Sequence, residues 1–159
     1  MEIKITITQR DVDEFNAAYF KAHPKAKKHL IETPQHPSLN QYVTACNMKS
    51  NSMKQNWKDF MIFILNKNNL QDIHIDSCEV TYVTYFKNKH KHDLDNISPK
   101  FIFDGLVAGG FIVGDDMTHI KKLTIMGGYD KENPRIELMF NVCSPENRKL
   151  QRRKGTWKK

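Results

Sequence analysis

Apolar and polar residues alternate at the start of the chain, where Ile3, Ile5 and Ile7 are set between Lys4, Thr6 and Thr8. That period of two predicts a half-buried β-strand. Asp11 with Glu14 three residues later resembles a capping box, and the helix it opens should end before Pro24. Residues 23–50 carry three prolines, many polar residues and no sustained period, which predicts a long loop of the kind that is often functional. From Ser52 to Lys67, Trp57, Phe60, Met61, Ile64 and Leu65 recur at helical spacing and predict an amphipathic helix. Residues 78–86 (CEVTYVTYF) are β-branched and aromatic, so they read as a strand.

That strand runs straight into the basic segment KNKHKH. Ser98 is placed to cap a helix, Pro99 suits a first turn, and Gly109 with Gly110 stops it, so the helix should cover 99–108. Strands are expected over 117–127 and 134–142, joined by the turn-prone GGYDKENP. The order β, α, α, β, α, β, β predicts one α+β domain over 1–143, a mixed or antiparallel sheet packed with helices, followed by a polar, basic tail over 144–159.

With 159 residues and 39% hydrophobic content, the chain has the apolar mass for one core. It has no run of 18 apolar residues and no signal-peptide pattern at its start, which leads us to expect a cytoplasmic protein without a membrane partner. Cys46, Cys78 and Cys143 are widely spaced, show no zinc-ligand pattern, and read as reduced thiols. A formal charge of +7 biases the protein toward a polyanionic partner without establishing that the partner is DNA.

The acidic residues change the picture more. Asp93 and Asp95 lie two apart just after a strand, and an extended backbone there would aim both carboxylates to one side. Like charges held so close repel each other unless a cation neutralises them, so such a pair suits a metal. Asp115 and Asp116 follow Gly114, where a turn could return them beside the first pair. The plainer alternative is a turn residue, a cap and a solvated loop, and spacing does not choose between the two. Lys100 falls in the first turn of its helix, where the dipole disfavours a cation, and either a nearby anion or simple solvation would account for it.

The stretch HDLDNISPKFIFDGLVAGGFIVGDD resembles the central motif of the RusA family of Holliday junction resolvases, of the phage and prophage type. That pattern is Asp-x-Asp-Asn, a lysine opening a helix, Phe/Leu-Asp-x-Leu within it, and an Asp-Asp pair beyond a glycine. The likeness is close over about 35 residues and looser over most of the chain, including PSLNQY at 37–42 and NPRIELMF at 133–140. Extra residues precede Lys100 and Asp115, and the segment 9–36 is longer than in the family's short form.

The resemblance implies a RusA-like fold and a Mg²⁺-dependent, or Mn²⁺-dependent, endodeoxyribonuclease that cuts four-way DNA junctions as a homodimer. It makes Asp93, Asp95 and Asp116 the essential acids, Asp115 their companion metal ligand, Lys100 the active-site lysine, and Asn40, with neighbouring Tyr42, a DNA-side group. Lys87, Lys89 and Lys91, with His90 and His92, could hold phosphates against the acidic site, or form a solvated strand end. The tail cations, Arg148 to Lys159, could add DNA affinity or serve solubility. The alternative from another class is a catalytically silent binder of branched DNA, and a third is a plain basic domain.

Overall fold

In the computed structural model, which describes residues 1–35 and 38–143, four strands form one sheet in the order β1-β4-β2-β3. The strands are β1 (Glu2–Thr8), β2 (Cys78–Phe86), β3 (Ile120–Tyr129) and β4 (Arg135–Val142). The helices are α1 (Gln9–Ala22), α2 (Leu39–Thr44), α3 (Asn47–Lys67) and α4 (Lys100–Ala108), with a 3₁₀ turn over Leu94–Asn96. Residues 36 and 37 and the tail from Ser144, with its basic run, lie outside the described residues. No helix among the described residues is long and apolar enough to cross a membrane.

The sheet is mixed. β4 pairs antiparallel with both β1 and β2, while β2 and β3 run parallel. Parallel neighbours require a crossover, and α4 supplies it. The segment GGYDKENP is therefore no hairpin: it carries the chain from β3 over the end of β2 to β4. Asp130 donates its backbone N–H to the Phe86 carbonyl at 2.9 Å. Arg135 stacks over the Tyr85 ring at 3.9 Å while pairing with Asp130 at 2.7 Å and Glu137 at 2.8 Å.

The core joins Ile5 and Ile7 of β1, Val80 and Tyr82 of β2, and Ile136, Leu138 and Phe140 of β4 to Phe60, Ile64, Phe101 and Leu106 of the helices. The residues that alternate in β1 are the ones buried, as the period of two requires. α3 and α4 approach closely because Gly105 and Gly109 lack side chains. A Cβ on Gly105 would stand 2.4 Å from Met61 Cβ, and one on Gly109 would stand 2.4 Å from Leu65 Cδ1.

Several boundaries differ from those expected. α1 starts at Gln9, and Asp11 accepts from the Thr8 backbone N–H at 2.8 Å and from its hydroxyl at 2.7 Å, whereas Glu14 pairs with Arg10 and Lys67. The segment 23–50 is not all loop: it holds α2 and the first turn of α3. What remains of it is pinned by buried Asn16, which donates to the Ile31 carbonyl at 2.7 Å and accepts from the Leu30 N–H at 3.0 Å. Pro99, and not Ser98, occupies the cap position of α4.

Candidate active site

Directly after β2, the chain crosses the end of the sheet and turns back. Asp93 is extended, but Leu94–Asn96 winds into the 3₁₀ turn, with Asn96 N–H bonded to the Asp93 carbonyl at 3.1 Å. The extended geometry expected for the Asp93 and Asp95 pair is therefore replaced by a turn. Leu94 explains part of this, because it leans over Gly127 of β3, where even a Cβ would come within 3.3 Å of its Cδ2.

Asp93 lines a cleft of about 160 Å³ together with Gln35, Thr84, Lys91 and Asn96. Gln35 reaches it from the long segment before α2 and donates to the Tyr85 carbonyl at 2.9 Å. Asn96 ties in the next element, since its Oδ1 accepts the Asn40 backbone N–H at 3.0 Å. α2 owes its position to that bond and to Tyr42, whose ring meets Phe101 edge-on at 5.0 Å. Ser38 starts α2 by a reciprocal cap: its hydroxyl accepts the Gln41 N–H at 3.2 Å, and Gln41 Oε1 accepts the Ser38 N–H at 2.8 Å. The Asn40 backbone is thus tied to the DLDN segment.

Lys100 is the first residue of α4, and its ammonium stands 3.7 Å from Asp104 one turn on. That carboxylate is the counter-charge for a cation that the helix dipole would otherwise disfavour. Lys54 of α3 lies 5.3 Å over the Tyr42 ring, and its hydrogen bond with the Tyr42 hydroxyl raises the ammonium's pKa.

Of the second acidic pair, Asp115 lines a different groove, of about 680 Å³ against α3, with Lys54, Lys58 and Asp104. Asp116 Oδ1 accepts both the hydroxyl and the backbone N–H of Thr118, the latter at 2.6 Å, and these bonds, the hydroxyl's first, hold its carboxyl below the ordinary 3.8. His119 is pinned beside it, with Nδ1 at 2.6 Å from the Asp76 carbonyl, so Nδ1 carries the proton. Among the described residues, no three Asp, Glu, His or Cys side chains are grouped as a metal ion would need. The structure therefore joins Asp93, Asn96 and Lys91 around one cleft, ties the Asn40 backbone to Asn96 at 3.0 Å, and leaves Asp115 in another groove.

The basic run is divided. Lys91 faces the cleft, whereas Lys87, Lys89 and His90 border an open basin with Tyr129 and Lys131, and Lys89 lies 5.1 Å over the Tyr129 ring. His92 stacks on Phe86 at 3.6 Å and bonds through Nε2 with Asn88 Oδ1 at 3.2 Å.

Reading the sequence assigned no role to Gln35 or the α3 lysines, and held Asn96 and Asp104 only as members of the quoted motif. The Ser38 and Gln41 capping box offered a further signal for the neighbourhood. No protein-family model matches the chain, and no curated protein matches it in sequence.

Proposed function

We propose that the protein is a divalent-metal-dependent, structure-specific endodeoxyribonuclease that cuts four-way DNA junctions. One observation carries the reading: Asn96, which lines the Asp93 cleft, accepts the backbone N–H of Asn40, 56 residues away in the chain. Both belong to the RusA-like pattern, in which that asparagine and the Asp-x-Asp-Asn segment serve one site. The basic flank adds support, because Lys87, Lys89 and Lys131 give a phosphate backbone a landing surface on the side of Asp93 where the strand ends.

Asp93 and Asp95, with Asp116, offer only carboxylate oxygens, which suit Mg²⁺ or Mn²⁺ better than zinc. The donor chemistry fits such an ion, while three donors are not gathered among the described residues. A bound Mg²⁺ supplies an activated water and neutralises phosphate charge. The chain's own part is to orient the strand: Lys100 and Lys91 attract phosphate oxygens, and Asn96 holds α2 and Tyr42 against the cleft. A homodimer, with two sites for two symmetric cuts, matches the two-fold symmetry of the junction.

The separation of Asp115 from the Asp93 cleft favours a second reading, a junction binder that does not cut. Incubating the protein with a synthetic four-way junction and a linear duplex, in Mg²⁺ and in Ca²⁺, separates the two. The nuclease reading expects paired nicks in the junction with Mg²⁺ alone. Tight junction binding without cleavage in Mg²⁺ or Mn²⁺ selects the silent binder.

A further inference from the structure

The polar side of α3 is unaccounted for by the site described so far. Asn51, Lys54, Gln55 and Lys58 fall at i, i+3, i+4 and i+7, so they share one helix face. That face forms one wall of the groove of about 680 Å³ whose other wall holds Asp104 and Asp115. The approach of the two walls is set by Gly105, since the Cβ it lacks would also lie 3.4 Å from the Lys58 Cα.

Neutralisation of the acids across the groove explains the lysines only in part, through the charge of Asp104 acting on Lys54. Asp104 already pairs with Lys100 at 3.7 Å, and Lys54 is held at the Tyr42 ring. Among the described residues, Lys58 has no carboxylate within ion-pairing distance. Lys54 and Lys58, half-buried residues one helical turn or about 6 Å apart along the helix axis, thus line a groove with amide donors beside them and Asp115 on the far wall.

We infer that this face of α3 is a phosphate track that leads one DNA strand into the acidic loop at Asp115 and Asp116. The inference rests on the nuclease reading and adds to it a contact surface separate from the basic run at 87–91. Lys54 and Lys58 take consecutive phosphates, Asn51 and Gln55 donate to phosphate or sugar oxygens, and Tyr42 keeps Lys54 aimed. Such contacts carry no base readout, so they act on every sequence alike.

The test uses the full chain and fluorescence anisotropy with a synthetic four-way junction in Ca²⁺ over a salt series. Each lost phosphate contact lowers the slope of log affinity against log salt by about 0.9. Lys54→Gln with Lys58→Gln should therefore flatten it by about 1.8 and weaken binding several-fold, while Lys54→Arg with Lys58→Arg keeps the wild-type slope. Lysine acetylation followed by mass spectrometry gives a readout that folding defects do not mimic: junction DNA should protect Lys54 and Lys58 in the wild type, but not exposed Lys21 on α1. A wild-type slope in the Gln variant, or acetylation of both lysines unchanged by bound DNA, overturns the track and leaves the nuclease reading intact. A wild-type protein that neither binds nor cuts the junction overturns both.

Discussion

The Asn96 carboxamide oxygen accepts the backbone N–H of Asn40 at 3.0 Å, joining the turn that holds Asp95 to the start of α2. α2 is six residues long and has no buried residue, so few other contacts hold it. Asn96→Ala removes the acceptor at an exposed position, where water substitutes, and the stability cost should fall near the low end of about 0.5–1.5 kcal/mol. Hydrogen exchange over 39–44 should rise, and junction cleavage should drop far more than stability does. Asn96→Asp keeps the acceptor and should restore protection of the Asn40 amide. Unchanged exchange in Asn96→Ala would show that this bond does not position α2.

Gly105 sets the spacing of α3 and α4. Gly105→Ala places a Cβ 2.4 Å from Met61 Cβ and 3.0 Å from its Cγ, closer than packed carbons stand, so the helices must part. Overpacking of this kind costs about 1–3 kcal/mol. Urea denaturation should show that loss, and DNA binding should weaken too as the α3 face moves. A variant as stable as wild type would contradict the close approach.

Gly114 has a local role at the acidic loop. A Cβ there would meet His119 Cδ2 at 2.6 Å and Asp116 Oδ2 at 3.4 Å. Gly114→Ala should therefore push His119 off the Asp76 carbonyl and shift the Asp116 carboxylate. Cleavage should fall at least tenfold, a barrier change of about 1.4 kcal/mol, with thermal stability nearly unchanged because the loop is exposed. A large fall in melting temperature with unaltered specific cleavage would contradict this.

Acid sensitivity should arise in part at the α1 and α3 junction, alongside the depressed carboxyls of Asp130 and Glu137 at Arg135. Burial pushes the Asp11 carboxyl up, but hydrogen bonds from Lys67 and Thr8 together outweigh it and hold the group below its ordinary 3.8. Hydrogen bonds from Lys67 and Arg10 likewise hold Glu14 below 4.5. A carboxyl depressed in the folded state stabilises above its unfolded pKa and loses that contribution as pH falls through the folded value. Melting temperature should thus be flat near neutral pH and decline from the unfolded carboxyl values of 4.5 and 3.8 downward. Lys67→Met should lower the plateau and make the acid decline shallower. An acid decline of wild-type steepness in Lys67→Met would place the sensitive groups elsewhere.

Strong periodicity made much of the fold legible. The alternation at Ile3, Ile5 and Ile7 and the apolar stripe from Trp57 to Leu65 report burial directly, and both elements stand where that burial puts them. α2 escaped because nothing in it is buried, and the first turn of α3 because its apolar stripe begins only later. Its capping box was readable but lay inside a stretch dominated by prolines. The proposed acidic site was suggested by a motif, and its geometry was not legible. The turn over Leu94–Asn96 depends on Leu94 meeting Gly127, a contact across the sheet that spacing does not encode. The α3 lysines escaped for a related reason: the stripe that identified the helix draws attention to its buried face, and Lys54 and Lys58 lie along the flank of that face.

The central claim is that carboxylates at Asp95 and Asp116 serve the cutting of DNA and not its binding. The most direct test measures both activities on one synthetic four-way junction for wild type, Asp95→Asn and Asp116→Asn. The account predicts Mg²⁺-dependent cleavage in wild type, its loss in both variants, and junction affinity equal to or above that of wild type, since each variant removes a negative charge that repels phosphate. Variants that still cut at the wild-type rate, or that lose binding together with cleavage while remaining folded, would contradict it.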